Sequence, residues 1–118
     1  MSKSALTIWH NPRCSKSRQT LQIIEDSGVE PTVVKYLETP PNAAELKAAL
    51  AKLGIPARDL LRKGEEEYKT LNLANADLSE DALIDAMAAH PKLIERPIVI
   101  KGDRAVLGRP PENVNELL

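Results

Sequence analysis

Phenylalanine is absent from this chain, and aromatic residues of all kinds make up only 3% of it. The core must therefore be assembled from Leu, Ile, Val and Ala, and nucleic-acid binding through base stacking has few platforms to use. A basic excess is missing as well. The formal net charge is -1, whereas phosphate-backbone binding rests on a surplus of cations, so no nucleic-acid partner is expected. No apolar run approaches the length of a membrane span, which predicts a soluble protein with no membrane partner. Cysteine occurs once, at Cys14, and one cysteine cannot close an intramolecular disulfide. The opening MSKSALTI has none of the apolar length of a secretion signal, so a reducing, cytoplasmic setting is expected. What is present, 118 residues with 42% hydrophobic content, fits one domain over residues 1–118 with a single core, a monomer by default.

Acidic residues are also missing from the first 24 positions, which hold Lys3, Arg13, Lys16 and Arg18, while Glu65, Glu66 and Glu67 cluster in mid-chain. The segment IWHNPRCSKSRQTL around Cys14 is therefore locally cationic, either as a solvated surface or as a designed environment for the thiol. ALTIW, residues 5–9, is short, β-rich and bounded by HNP, so it reads as a buried strand followed by a turn. SKSRQTLQIIEDSG reads as a helix stopped at Gly28, and PTVVKYL, residues 31–37, as a second strand. A strand, helix, strand unit of this kind usually pairs its strands in parallel.

The middle of the chain is helical. Asn42 with Glu45 three residues later makes a capping-box pattern ahead of AAELKAALAKL, and Gly54 closes that segment. ARDLLRKG reads as a short helix, EEEYKTLNL as an ambiguous one, and Ser79 opens SEDALIDAMAAH before Pro91 stops it. His90, ahead of Pro91, reads as a helix-end residue, and two separated histidines with one cysteine do not make a metal site. PIVI and RAVLG flank KGD, a hairpin turn, and PENVNELL offers a final helical turn or two. The order βαβ, helices, ββα predicts an α/β protein with a mixed sheet covered by helices, and resembles a thioredoxin-like fold with a helical insertion.

Cys14 falls at the first strand-to-helix junction. Free backbone N–H groups and the positive end of the helix dipole favour an anion there, and neighbouring cations act in the same direction, so a thiolate is the expected form. The alternative is a small buried cysteine with no chemistry. Position 17 is Ser17, so there is no local resolving thiol of the Cys-x-x-Cys kind. A cysteine-phosphatase loop separates its Cys from its Arg by five residues; here only Ser15, Lys16 and Ser17 lie between Cys14 and Arg18. What remains is a lone nucleophile regenerated by an outside thiol, or a thiol that forms only mixed disulfides.

IWHNPRCSKSRQTL, YLETPP, LLRKGEEEY, LIERPIVI and LGRPPENV resemble, in order and spacing, the arsenate reductase family of the glutathione- and glutaredoxin-dependent type, from Leu6 to about Val114. The resemblance is closest to a short uncharacterised branch, since the arsenate-resistance enzymes continue with a longer tail after the last motif. It implies that Cys14 is the nucleophile that forms a covalent thioarsenate adduct, and that Arg62, Arg96 and Arg109 hold the oxyanion. Guanidinium suits that task because its planar donor fork stays charged and pairs bidentately with tetrahedral oxyanions. It further implies arsenate or a similar oxyanion as substrate, glutathione as co-substrate, glutaredoxin as protein partner, and no bound cofactor or metal.

Pro97, in RPIV, resembles the cis-proline that thioredoxin-like folds place opposite the active cysteine, and a cis Arg96–Pro97 peptide is expected on that ground. His10 matches a histidine of the HNP motif. It acts either as an imidazolium favouring the thiolate or as a hydrogen-bonding brace for the loop. Asn11 and Ser17 are expected to satisfy loop and helix-start donors, Ser17 with the further option of donating to the thiolate. A different class of function stays open: a non-catalytic thioredoxin-like thiol or regulatory binding module, or a reductase of another oxyanion. Polymerase-binding regulators of this fold carry a Cys-x-x-Cys switch that Ser17 interrupts.

Overall fold

The computed structural model describes residues 6–118. Lys3 and Ala5, counted above among the cations and in the first strand, lie outside the described residues. By its internal packing the chain divides into two units, one running to Thr39 and resuming over Arg96–Leu118, the other Pro40–Glu95.

The first unit carries a four-stranded sheet in the order β2-β1-β3-β4, with β1 Leu6–Trp9, β2 Thr32–Val34, β3 Ile98–Lys101 and β4 Arg104–Leu107. β1 and β2 are parallel, Ile8 facing Val33, and are joined by helix α1, Ser15–Asp26, as the strand, helix, strand reading requires. β3 returns antiparallel to β1, with Val99 opposite Ile8, and forms the expected hairpin with β4 around Gly102, whose φ of +62° suits a residue without Cβ. Side chains alternate along a strand, so Leu6 and Ile8 share one face. That face packs with Val99 of β3, Ile24 of α1, and Val114 and Leu117 of a closing 3-10 helix, Pro111–Leu117, into one apolar cluster. α1 turns Ser17, Thr20 and Ile24 inward, a three- and four-residue spacing that lines one helix face.

β2 is shorter than the segment 31–37 read from the sequence. The carbonyl of Lys35 accepts the N–H groups of Glu38 and Thr39, both at 2.9 Å, so the chain turns instead of extending the ladder. Tyr36 is carried into the interior, only 1% exposed.

The second unit is helical. α2, Ala43–Leu53, starts with the full capping box: Asn42 Oδ1 accepts the Glu45 N–H at 2.8 Å and Glu45 Oε1 accepts the Asn42 N–H at 3.0 Å. It ends at Gly54, φ +71°, whose N–H reaches the Leu50 carbonyl at 2.8 Å. α3 is Ala57–Leu60, α4 Glu66–Thr70 and α5 Glu80–Ala89. Leu46, Ala49 and Leu50 of α2 and Leu83, Ile84 and Met87 of α5 are buried. The ambiguous EEEYKTLNL resolves as α4, a short helix that buries no residue. Among the described residues no helix is long and apolar enough to cross a membrane.

Candidate active site

Where β1 ends, the His10 N–H bonds the Val34 carbonyl at 2.8 Å, and the chain then leaves the sheet through Asn11, Pro12 and Arg13. Three side-chain contacts give this loop its shape. Asn11 Oδ1 accepts the Arg13 N–H at 3.0 Å, an Asx turn; Ser17 Oγ accepts the Asn11 N–H at 3.0 Å; and Ser17 Oγ pairs with His10 Nδ1 at 2.7 Å. Arg18 Nη1 adds a bond to the Pro12 carbonyl at 3.0 Å. Asn11 and Ser17 thus serve two donors of the loop, the Arg13 and Asn11 N–H groups, with the Ser17 hydroxyl engaged there.

Cys14 is the N-cap of α1, with extended backbone (φ -94°, ψ 123°), and its side chain is half-buried. Burial pushes the thiol up. Against that act the Ser17 N–H, the Arg96 guanidinium both as donor and as charge, and the Lys16 N–H, and the net result lies below the ordinary thiol value. His10, only 6% exposed, is held below the usual histidine range first by burial and then by the charges of Lys35 and Arg18, with Glu25 opposing. A neutral imidazole paired with Ser17 is a brace for the loop, so of the two roles open to His10 the geometry favours the hydrogen-bonding one.

Arg96 and Arg109 are brought together in the same unit. Arg109 Nη1 donates to the Arg96 carbonyl at 3.2 Å, and both residues precede a cis proline, Pro97 as expected and Pro110 in addition. Between them lies a close approach that sequence reading missed. Thr20, wholly buried, donates to the Lys16 carbonyl at 2.8 Å and faces the Gly108 carbonyl at 3.4 Å, while the Gly108 N–H bonds the Pro97 carbonyl at 2.9 Å. A Cβ at position 108 would overlap the Thr20 hydroxyl and come within 2.7 Å of the Pro97 ring. Asn113 was missed too; its Nδ2 donates to the Leu107 and Arg109 carbonyls, both at 3.2 Å, fixing the backbone that carries Arg109. RPPEN contains that asparagine, but nothing in its spacing says which carbonyls it reaches.

Arg62 belongs to the helical unit. Its N–H bonds the Leu93 carbonyl at 2.7 Å, and its guanidinium pairs with Glu95 at 3.0 Å and Glu65 at 3.6 Å. Glu65 had been readable only as part of an acidic cluster; it is a partner that orients an arginine. Among the described residues no group of three or more His, Cys, Asp or Glu side chains gathers as metal ligands would.

Comparison with known proteins bears on this arrangement. The family model described as ArsC family matches residues 9–117. The chain is 57% identical over 112 residues to the uncharacterized protein YfgD of Escherichia coli K12, covering 94% of both chains. It is 49% identical over 114 residues to an arsenate reductase of Neisseria meningitidis, covering 96% of this chain and 97% of that one. Among solved structures, the arsenate reductase from Vibrio cholerae superposes with a TM-score of 0.96 at 52% identity, covering 99% of this chain and all of the other. With the mixed sheet, the helical insertion between β2 and β3, and a cysteine capping α1, the fold is the thioredoxin-like α/β fold of these relatives, and the chain belongs to the ArsC family.

Proposed function

We propose that this protein is an arsenate reductase whose single cysteine is the nucleophile. The observation that carries the reading is the environment of Cys14, a helix N-cap thiol facing the Ser17 and Lys16 N–H groups and the Arg96 guanidinium. It is supported by arsenate reductase relatives at about half identity over nearly the whole chain. The Cys14 thiolate attacks arsenic; a sulfur–arsenic bond forms, an arsenic–oxygen bond breaks, and the oxygen leaves as water. Arg96 and Arg109 neutralise charge as two anions approach one another, and the resemblance assigns Arg62 the same task. Arsenic is still pentavalent in this adduct. The two electrons that take it to arsenite come from thiols, Cys14 and glutathione, which end as a mixed disulfide that glutaredoxin reduces to restore the thiolate. No bound cofactor enters, and glutathione is consumed as co-substrate.

The test is arsenate-dependent NADPH oxidation coupled through glutathione, glutaredoxin and glutathione reductase, comparing native protein with Cys14→Ser. Turnover that vanishes in the variant supports the reading. A folded native protein that gives no turnover refutes it in favour of another oxyanion or a binding role.

A further inference from the structure

Thr20 lies wholly buried on the inward face of α1, where a valine of the same outline would fill the space. A hydroxyl in such a place costs desolvation unless it is bonded. Its oxygen stands 2.8 Å from the Lys16 carbonyl, one turn back in the helix, and 3.4 Å from the Gly108 carbonyl, just past the end of β4. The first contact is open to any helical threonine, so only the second depends on where this residue stands. A Cβ on Gly108 would overlap that same oxygen and come within 2.7 Å of the Pro97 ring. Gly108 has no positive φ, so glycine is needed there for room and not for backbone freedom. The surrounding backbone is held from several directions: the Gly108 N–H bonds the Pro97 carbonyl at 2.9 Å, and Asn113 Nδ2 donates to the Leu107 and Arg109 carbonyls, both at 3.2 Å.

These contacts close a circuit through the thiol. Lys16 and Arg96 both act on Cys14, one through its backbone N–H and the other through its guanidinium. From Lys16 the path runs through its carbonyl to Thr20, from Thr20 to Gly108, and from Gly108 to Pro97, the residue that follows Arg96. We propose that Thr20 and Gly108 are a positioning pair that sets how closely the first turn of α1, with Cys14 at its cap, approaches the segment carrying Arg96. The glycine permits the approach and the hydroxyl holds it. The inference goes beyond the reductase reading, since it concerns the state of the thiol and holds whatever electrophile Cys14 attacks.

The pH profile of iodoacetamide alkylation tests it, because a contact that merely stabilises the fold leaves the thiol midpoint where it is. Thr20→Val keeps the outline and removes the hydroxyl, whereas Thr20→Ser keeps the hydroxyl. An opposite charge close by lowers the midpoint of an acidic group by about 1–3 pH units, and part of that is forfeited when the two segments separate. The Cys14 midpoint should therefore rise by about half a pH unit in Thr20→Val and by more in Gly108→Ala, and stay near native in Thr20→Ser. In an Arg96→Gln background the Thr20→Val shift should largely disappear, since the pair works through Arg96. A native midpoint in folded Thr20→Val or Gly108→Ala, a Thr20→Ser midpoint as high as that of Thr20→Val, or a shift that persists in full without Arg96 overturns the proposal. Should Gly108→Ala not fold, Thr20→Val, which keeps the packing volume, decides. No arsenate enters the assay, so failure here and failure of the reductase reading are told apart.

Discussion

Ser17→Ala removes one oxygen from a side chain that is fully buried. That oxygen accepts the Asn11 N–H at 3.0 Å and pairs with His10 Nδ1 at 2.7 Å, so its loss strands two polar groups together. Leaving a buried donor or acceptor without a partner costs about 1–3 kcal/mol each. Asn11 and His10 keep 8% and 6% exposure, so water reaches them in part and the lower half of that range applies. The expected loss is about 2–4 kcal/mol, a large share of the roughly 5–15 kcal/mol that holds a domain folded. Urea unfolding followed through Trp9 measures it, since Trp9 is the only tryptophan and adjoins His10 in the chain. The midpoint should fall with the slope unchanged. A loss below about 0.5 kcal/mol would refute the assignment of Ser17 as the brace of the loop. A second readout separates this from chemistry. The Ser17 N–H that favours the thiolate belongs to the backbone and survives the substitution, so Cys14 in the folded variant should still alkylate with a midpoint below the ordinary thiol value. A return to that ordinary value would mean that the hydroxyl, not the backbone, is the donor.

Iodoacetamide alkylation of the native protein should rise with pH through a midpoint below that of a free cysteine. Arg96→Gln should move the midpoint upward, because both a donor and a charge leave the sulfur while burial stays; an unmoved midpoint removes Arg96 from the thiolate environment. His10 gives a pH dependence of opposite chemistry. As a base whose folded value is depressed, it contributes stability that is complete above its unfolded value of about 6.5 and is lost as pH falls through the folded one. Urea stability should therefore decline below about pH 6.5, and a slope identical in His10→Gln would show that another group is responsible. Asn42→Ala breaks the capping box of α2 and should cost about 1 kcal/mol, without effect on Cys14 alkylation. A thermal melt that does not move would mean that the cap contributes nothing measurable.

Local order in the chain was legible from residues close in sequence. The apolar run before HNP, the serines after it and the Asn42–Glu45 spacing located β1, α1 and the α2 cap, because strand alternation, helix periodicity and capping act within a few residues. The position of Cys14 at a helix start, and with it the expectation of a lowered thiol, followed from the same short-range rules. The arginines were legible only through resemblance, since a guanidinium has no periodicity that marks it as functional.

Tertiary structure decided everything that joins distant segments. The antiparallel return of β3 against β1 brings the Arg96 charge to bear on the Cys14 thiol, and the Arg109 side chain reaches the Arg96 carbonyl. Thr20 meets Gly108 across 88 positions of sequence, where the approach leaves no room for a Cβ. Burial, with the charges of Lys35 and Arg18, holds His10 below the usual histidine range, a direction that its position in the chain does not reveal. It also took Tyr36 out of an expected strand and into the interior. In each case the controlling quantity is the distance between groups or their exposure to water. Both are set by how the sheet is ordered and covered, and neither is written in the spacing of residues along the chain.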